Sequence, residues 1–512
     1  MKAQSGQLKP IEPFFGVRVL ALATISFLAH LLVAGQYGYF RDELYYIAAG
    51  RHLAPGYVDF PAMLGLLAAL LDRIDGDSLI AIHVVPAMAN AALVLTTGLI
   101  ARELGGGRRA QGLAALATVV NVVFLATGSI FSMDILDALW WSLGALIVAR
   151  LLRTGQSRLW RLFGLVAGLG LLTKLTILFF GFGVIAGLLL TPERGRLASR
   201  WLWVGGGIAM AFLLPYLGWN ATHGWPTLSF WSHYGGHSGG PLDFLINQVV
   251  DSNLFGVPMA ISGLLFFFRS KSGRPFRALG WTFALLYVLF TVLASKPYFL
   301  TPAYPILYAG GACLLTSWAR RPGRRRVLSA YAGTLVLSGI LLAPLAMPVL
   351  PPATFARTYG ALSSLGNGGA GQSGSSVFPQ YLGDRFGWPE LTTTVAHVAD
   401  SLPTAERSQA CIFTVNYGEA SALEFLGGDR LPPVISGHNN FFYWGPGRCN
   451  GSVLITVGIP ASDAARSFGQ VTPAATFTCT YCMPDENNLP ILICRQPNLP
   501  IPELWTNARH FD

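Results

Sequence analysis

Charge is what this 512-residue chain has least of: only 12% of its residues are Asp, Glu, Lys or Arg, about half the share of an ordinary soluble domain. With 52% hydrophobic residues and a mean hydropathy of +0.49, that scarcity excludes a soluble enzyme and implies an integral membrane protein. Cysteine is nearly absent until the tail, where five of the six lie (Cys411, Cys449, Cys479, Cys482, Cys494). Five is odd, so at most two bridges form there, and Cys313 is apolar filling. No second C-x-x-C and no nearby His ligands accompany Cys479 and Cys482, which argues against a redox or metal motif. A small-x-small cleavage site is also missing after the first apolar run, so that run is expected to stay as an uncleaved helix.

Long apolar runs are what the chain has in plenty. About 20 apolar residues cross a bilayer, and eleven candidate spans are expected at 14–35, 79–101, 110–127, 133–152, 159–173, 175–191, 201–219, 253–268, 278–294, 299–318 and 327–349. The net charge of +10 does not mark a nucleic-acid binder, because of where it sits. Lys2, Lys9 and Arg18, then Arg102, Arg108 and Arg109, then Arg150, Arg153, Arg158 and Arg161 fall in alternate loops. The pattern continues through Arg194, Arg196 and Arg200, through Arg269, Lys271, Arg274 and Arg277, and through the cluster from Arg320 to Arg326. This places 22 of the 35 basic residues on one side, the cytoplasm by the positive-inside rule. The loops between them keep Arg41, Arg51, Arg73, Lys174 and Lys296, and acids collect there: Asp42, Glu43, Asp59, Asp72, Asp75, Asp77, Asp134, Asp243 and Asp251. An odd number of spans then leaves the tail extracytoplasmic, with the N-terminus cytoplasmic.

The first outer loop, 36–78, carries "GYFRDELYYIAAGRHLAPGYVDFPAM". Residues 42–53 and 61–72 have helical spacing but cannot span, so two interfacial helices are expected, separated at Pro55 and Gly56, with Pro61 at a helix N1 position. A second outer loop, 220–252, is rich in Trp, His and Gly and long enough to cover a site; His233 and His237 within it are candidates for a loop metal site. Composition then divides the chain into a membrane part, 1–350, a Gly/Ser-rich linker, 351–380, and a small α/β domain, 381–512. In that domain "PELTTTVAHVADSL", "EASALEFL" and "SDAARSF" read as helices. "ACIFTV", "GSVLITVGI", "ATFTCTY" and "LPILICR" read as strands.

Charges at a membrane face are costly unless solvated, paired or used. Asp42 and Glu43 suit a helix N-terminus, Lys174 and Lys296 suit snorkelling to headgroups, and Asp137, one turn after Asp134, suits a buried contact between helices. Taken together they suit another task, two lysines holding a lipid phosphate while acids act on what it carries.

"YFRDELYYIAAGRHLAPGYVDFPAM", "SMDILDALWW", "GLGLLTKLT" and "SKPYFLTPAYPIL" resemble the successive motifs of the GT-C membrane glycosyltransferases. The similarity is to the bacterial branch related to dolichyl-phosphate-mannose protein mannosyltransferases and lipid A aminoarabinose transferases (glycosyltransferase family 39/83-like). The tail segments "NYGEASALEFLG" and "PPVISGHNNFFYWGPG" resemble the outer domain of bacterial members. The resemblance implies inverting transfer of one sugar from a polyprenyl-phosphate donor to a lipid, protein or polysaccharide acceptor on the outer face. It implies Asp42 as base, Glu43 supporting it, Asp134 as a further catalytic acid, and Lys174 and Lys296 as phosphate contacts. Tyr45, Tyr46, Arg51, Asp59 and Tyr298 are the remaining substrate-binding candidates. Where relatives often carry Arg, this chain has "HVVP", His83 to Pro86. No cofactor is implied, a divalent metal stays open because paired acids can hold one, and Asn439, Asn440, Phe441, Tyr443 and Trp444 are candidates for touching the acceptor. A transporter or flippase of lipid-linked sugars is the rival from another class; it predicts internal repeats and mid-membrane breaks. A sugar-binding or scaffolding membrane protein is a third.

Overall fold

The computed structural model describes residues 13–14, 16–76, 78–234, 240–366 and 376–511. Lys2, Lys9, Asp77, His237 and the middle of the Gly/Ser-rich segment lie outside them. The chain divides into two compact units, neither contiguous in sequence: 1–34, 83–216 and 236–349 form one, and 35–82, 217–235 and 350–512 the other.

The first unit is helical and apolar, as a multi-pass membrane protein requires. Seven helices are long and apolar enough to cross a bilayer among the described residues, from Gly16–Val33 to Pro322–Ala346. The other four expected spans take different forms. Leu159–Thr173 and Ile177–Leu189 are short apolar helices, and Leu254–Arg269 follows Pro241–Asp251 at a 92° bend. The run at 110–127 is two helices, Arg108–Val119 and Val122–Thr127, because Asn121 leaves the helix to cap the second by accepting from Phe124 N–H. A break in a bilayer frees backbone groups that must find partners. Here the Val120 carbonyl accepts from Asn253 Nδ2 at 3.0 Å, and Asn121 Nδ2 donates to Tyr308 Oη at 3.0 Å. Lipid tails give apolar helices no reason to leave them for one another, so contact rests on small residues that let backbones approach. A Cβ on Gly164 would stand 2.1 Å from the Gly205 carbonyl oxygen, and one on Gly311 2.1 Å from that of Met259.

The second unit is built on a five-stranded sheet: β1 Ala410–Thr414, β2 Val434–Ser436, β3 Val453–Val457, β4 Phe468–Phe477 and β5 Leu489–Pro497, in the order β2-β1-β3-β5-β4. β2, β1 and β3 are parallel, and β5 and β4 join antiparallel. Side chains alternate between two cores: Ile412, Ile455 and Ile491 pack with Trp388, Leu391 and Val395 of the helix Trp388–Asp400, while Cys411, Leu454 and Cys494 pack with Ala464 and Trp505 on the other face. Cys411 and Cys449 form a disulfide; Cys479, Cys482, Cys494 and Cys313 are free thiols. The expected strand "ATFTCTY" is corrected: β4 starts earlier, at Phe468, and ends at Phe477. It runs through Pro473, which an edge strand tolerates because that side of the ladder needs no donor.

The first loop belongs to this unit. Its helices are Arg41–Arg51 and Met63–Asp75. Met63–Asp75 leaves Leu66, Leu70 and Ile74 exposed in one stripe, as an interfacial helix would. Arg41–Arg51 does not: Leu44 through Ala49 are all buried, and Leu44 joins the sheet core beside Trp388. Pro61 is not at N1; it pairs with Gly56 in an isolated bridge ahead of Ala62, the N-cap.

Candidate active site

In an α/β sheet, groups that bind ligands collect beyond the carboxyl ends of the parallel strands, and there the tail meets the first loop. β1 ends at Thr414, and Asn416 then caps the helix Tyr417–Ala422 by accepting from Glu419 N–H at 3.0 Å. This puts Tyr417 at the helix start, where its hydroxyl donates to Asp42 Oδ1 at 2.8 Å. β2 ends at Ser436 and leads through Asn439, whose φ of 47° Asn tolerates better than most residues, to Asn440. The Asn440 amide donates to Tyr45 Oη and, at 3.3 Å, to Asp59 Oδ1, and its carbonyl oxygen accepts from Val58 N–H at 2.9 Å. Tyr45 in turn donates to Asp59 at 3.1 Å and stacks on Tyr417 with ring centroids 4.5 Å apart. Asp42 with Tyr417, and Tyr45 with Asp59 and Asn440, are thus two hydrogen-bonded sets joined by the Tyr45–Tyr417 stack.

Arg41 stands beside them. Its guanidinium lies 3.7 Å from Asp42, 3.7 Å from Asp384 and 3.9 Å from Glu486, and over the Tyr417 ring. Burial raises Asp384 to about 6 and Glu486 to about 7, while Arg41 pulls both back toward ionisation. Asp59 is raised to about 7, chiefly by burial and then by the Asp42 charge. Asp42 is the open member of the group, with 31% of its side chain exposed. Its Oδ1 is taken by Tyr417, and Oδ2 has no hydrogen bond among the described residues. Among those residues no three His, Cys, Asp or Glu side chains are placed to hold a metal ion.

Glu43 is fully buried and accepts from Phe40 N–H at 2.8 Å, which closes the first turn of its helix. Tyr46 is buried edge-on to Phe60, and Arg51 ends the helix with its guanidinium over the Phe425 ring. Asn440 was a candidate for touching the acceptor, whereas Tyr417, Arg41, Asp384 and Glu486 carry no local signal of a site beyond the place of Tyr417 in "NYGEASALEFLG".

In the membrane unit the remaining candidates form their own cluster. Ser132 caps the helix Met133–Thr154, so Asp134 occupies its first turn. Lys174, in extended backbone at the end of Leu159–Thr173, reaches Asp134 Oδ1 at 2.6 Å. Its ammonium also lies 4.7 Å from the Phe299 centroid and 5.3 Å from that of Tyr298, an arrangement that stabilises a cation. Lys296 stands at the N-cap of the turn Pro297–Ala303 that carries both rings. Asp137 accepts from Thr176 at 2.7 Å, the interhelical contact expected of it, and His83 Nδ1 bonds the Ala34 carbonyl at 2.6 Å.

A sequence model of the family "dolichyl-phosphate-mannose-protein mannosyltransferase" matches residues 59–219. Crystal structures of ArnT from Cupriavidus metallidurans match along nearly the whole length. The form bound to undecaprenyl phosphate is 14% identical with a TM-score of 0.61, covering 94% of this chain and 98% of that one. The apo form is 16% identical with a TM-score of 0.62, covering 93% and 97%. The chain shares the fold of these membrane glycosyltransferases. The mycobacterial arabinofuranosyltransferase AftD also matches, 15% identical with a TM-score of 0.50, over 94% of this chain and 42% of that one. No curated protein matches by sequence. At such identities the solved structures support the GT-C fold and not a particular substrate.

Proposed function

We propose that this GT-C protein transfers a single sugar from a polyprenyl-phosphate donor to an acceptor on the extracytoplasmic face, with inversion at the anomeric carbon. The observation that carries the reading is Asp42, a partly open carboxylate with one oxygen held by Tyr417 and the other without a hydrogen bond among the described residues. Such an oxygen can take the proton of an acceptor hydroxyl, which is a weak nucleophile until deprotonated. The acceptor oxygen then bonds to the anomeric carbon as the bond to the lipid phosphate breaks, and the phosphate leaves with the electron pair. Lys174 and Lys296 offset the charge on the departing phosphate, and Asp134 and Tyr298 hold the Lys174 ammonium ready for it. Tyr45, Asp59 and Asn440 fix the wall around Asp42. Tyr46 and Glu43 set the helix that presents it, and Arg51 binds substrate from its far end. Support for a polyprenyl phosphate comes from the ArnT structure bound to undecaprenyl phosphate and from the mannosyltransferase family match.

The orientation in this reading follows the charge bias: arginine-rich loops face the cytoplasm and the sheet unit lies outside. The test is purified protein in lipid vesicles given radiolabelled polyprenyl-phosphate sugars, with the anomeric configuration of the product determined. Label transferred with inversion, and weakened donor use in Lys174→Gln, is expected. Labelled lipid that crosses the bilayer with no transfer overturns the reading in favour of a flippase.

A further inference from the structure

A cavity of about 420 Å³ in the sheet unit, lined by His223, Ser229, His233, Tyr443, Arg509 and His510, has no part in the chemistry above. Its size falls within the roughly 300–1,000 Å³ of small-molecule sites. Each histidine is fixed by its backbone neighbour. Nδ1 lies 2.7 Å from the Trp219 carbonyl for His223, 2.8 Å from that of Ser229 for His233, and 2.9 Å from that of Ala508 for His510. A carbonyl only accepts, so Nδ1 carries the proton, and in the neutral rings Nε2 is left as an acceptor. The lining thus combines imidazoles that can accept with the Arg509 guanidinium and the Ser229 hydroxyl, which can donate.

The remaining walls are aromatic. Tyr443 stacks on Phe511, and His223 is sandwiched between Trp219 and the edge of Tyr443. Among the described residues no three of these rings are placed to hold a metal ion, and the Nε2 lone pair of a neutral ring does not favour an anion. A hydroxyl-rich ligand with apolar ring faces satisfies both sets of groups. The cavity also adjoins the carboxylate group through the chain: Tyr443 lies on the short helix Asn440–Trp444, whose first residue holds Tyr45 and Asp59.

We infer that this cavity binds a saccharide unit of the acceptor, so that the acceptor is itself a glycan or glycoconjugate. The inference rests on the proposed transfer for its biological sense, but its test does not require turnover. Saturation-transfer NMR on the full chain in lipid nanodiscs, at pH 7.5, is run with a panel of methyl glycosides and disaccharides and with inorganic phosphate. Wild type and Asp42→Asn are expected to bind the same saccharides. His223→Gln and Arg509→Gln, each checked for an unchanged melting profile, are expected to bind at least about tenfold more weakly, a loss of about 1.4 kcal/mol. No saccharide signal with wild type, equal signal in all four proteins, or a response to phosphate alone each overturns the assignment. A failed transfer assay with saccharide binding intact strikes at the proposed reaction and not at the cavity.

Discussion

Asp59 is held near neutrality by its burial and by the Asp42 charge beside it, with a value raised to about 7 against an ordinary 3.8. Between those values the folded chain keeps a proton that the unfolded chain has lost, so this group stabilises the fold at low pH and its contribution is lost as pH rises through about 7. Asp59→Asn is therefore expected to shrink the drop in thermal stability between pH 5 and pH 7.5; an unchanged drop would show that Asp59 does not titrate there. The residue-level site was legible only in part. Asp42, Tyr45 and Asp59 share one short stretch, and acids in a charge-poor chain draw attention. Tyr417 meets Asp42 across 375 positions and Asn440 meets Tyr45 across 395, and no local pattern encodes such pairings. Glu43 was expected to support Asp42, and its side chain accepts from Phe40 N–H and so closes the first turn of the helix that carries Asp42.

At the scale of elements, Gly418 decides how closely the helix after β1 approaches the first loop. A Cβ there would stand 2.5 Å from Arg41 Cγ, inside any tolerable contact. Gly418→Ala is expected to cost about 1–3 kcal/mol by overpacking and, by pushing Arg41 away from Asp384 and Glu486, to lower transfer as well. A variant with wild-type melting and wild-type transfer would show that the contact relaxes freely. The helices Trp388–Asp400, Tyr417–Ala422 and Ala461–Ser467 and the strands β1, β3 and β5 were readable from period, whereas the short helices Asn440–Trp444 and Ile501–Ala508 were not. β2, three residues long, was too short to register, and β4 was hidden by Pro473, whose edge position only the sheet order reveals. Likewise the apolar run at 110–127 gave no sign of its break, since Asn121 leaves the helix for partners far off in sequence.

For the whole molecule, composition alone settled the membrane class, and basic residues in alternate loops gave the proposed orientation. The tail thiols check that orientation. Cys411 and Cys449 are bonded and Cys313 and Cys494 are buried, while the half-exposed Cys479 is lowered to about 6, first of all by the hydrogen bond from Cys482. A membrane-impermeant maleimide at pH 7 is expected to label Cys479 on right-side-out membrane vesicles, and Cys479→Ser to abolish that label. Labelling only after permeabilisation would turn the sheet unit toward the cytoplasm. What composition left unread is that the tail and the first loop make one compact unit, a joining that depends on long-range packing such as Leu44 against Trp388. The proposed transfer depends above all on the Asp42 carboxylate acting as the base. The rate of sugar transfer from a polyprenyl-phosphate donor, compared between wild type and Asp42→Asn at equal folded protein, tests it most directly. Loss of at least about 100-fold, the lower range for removing a general base, is predicted, and transfer at the wild-type rate would contradict it.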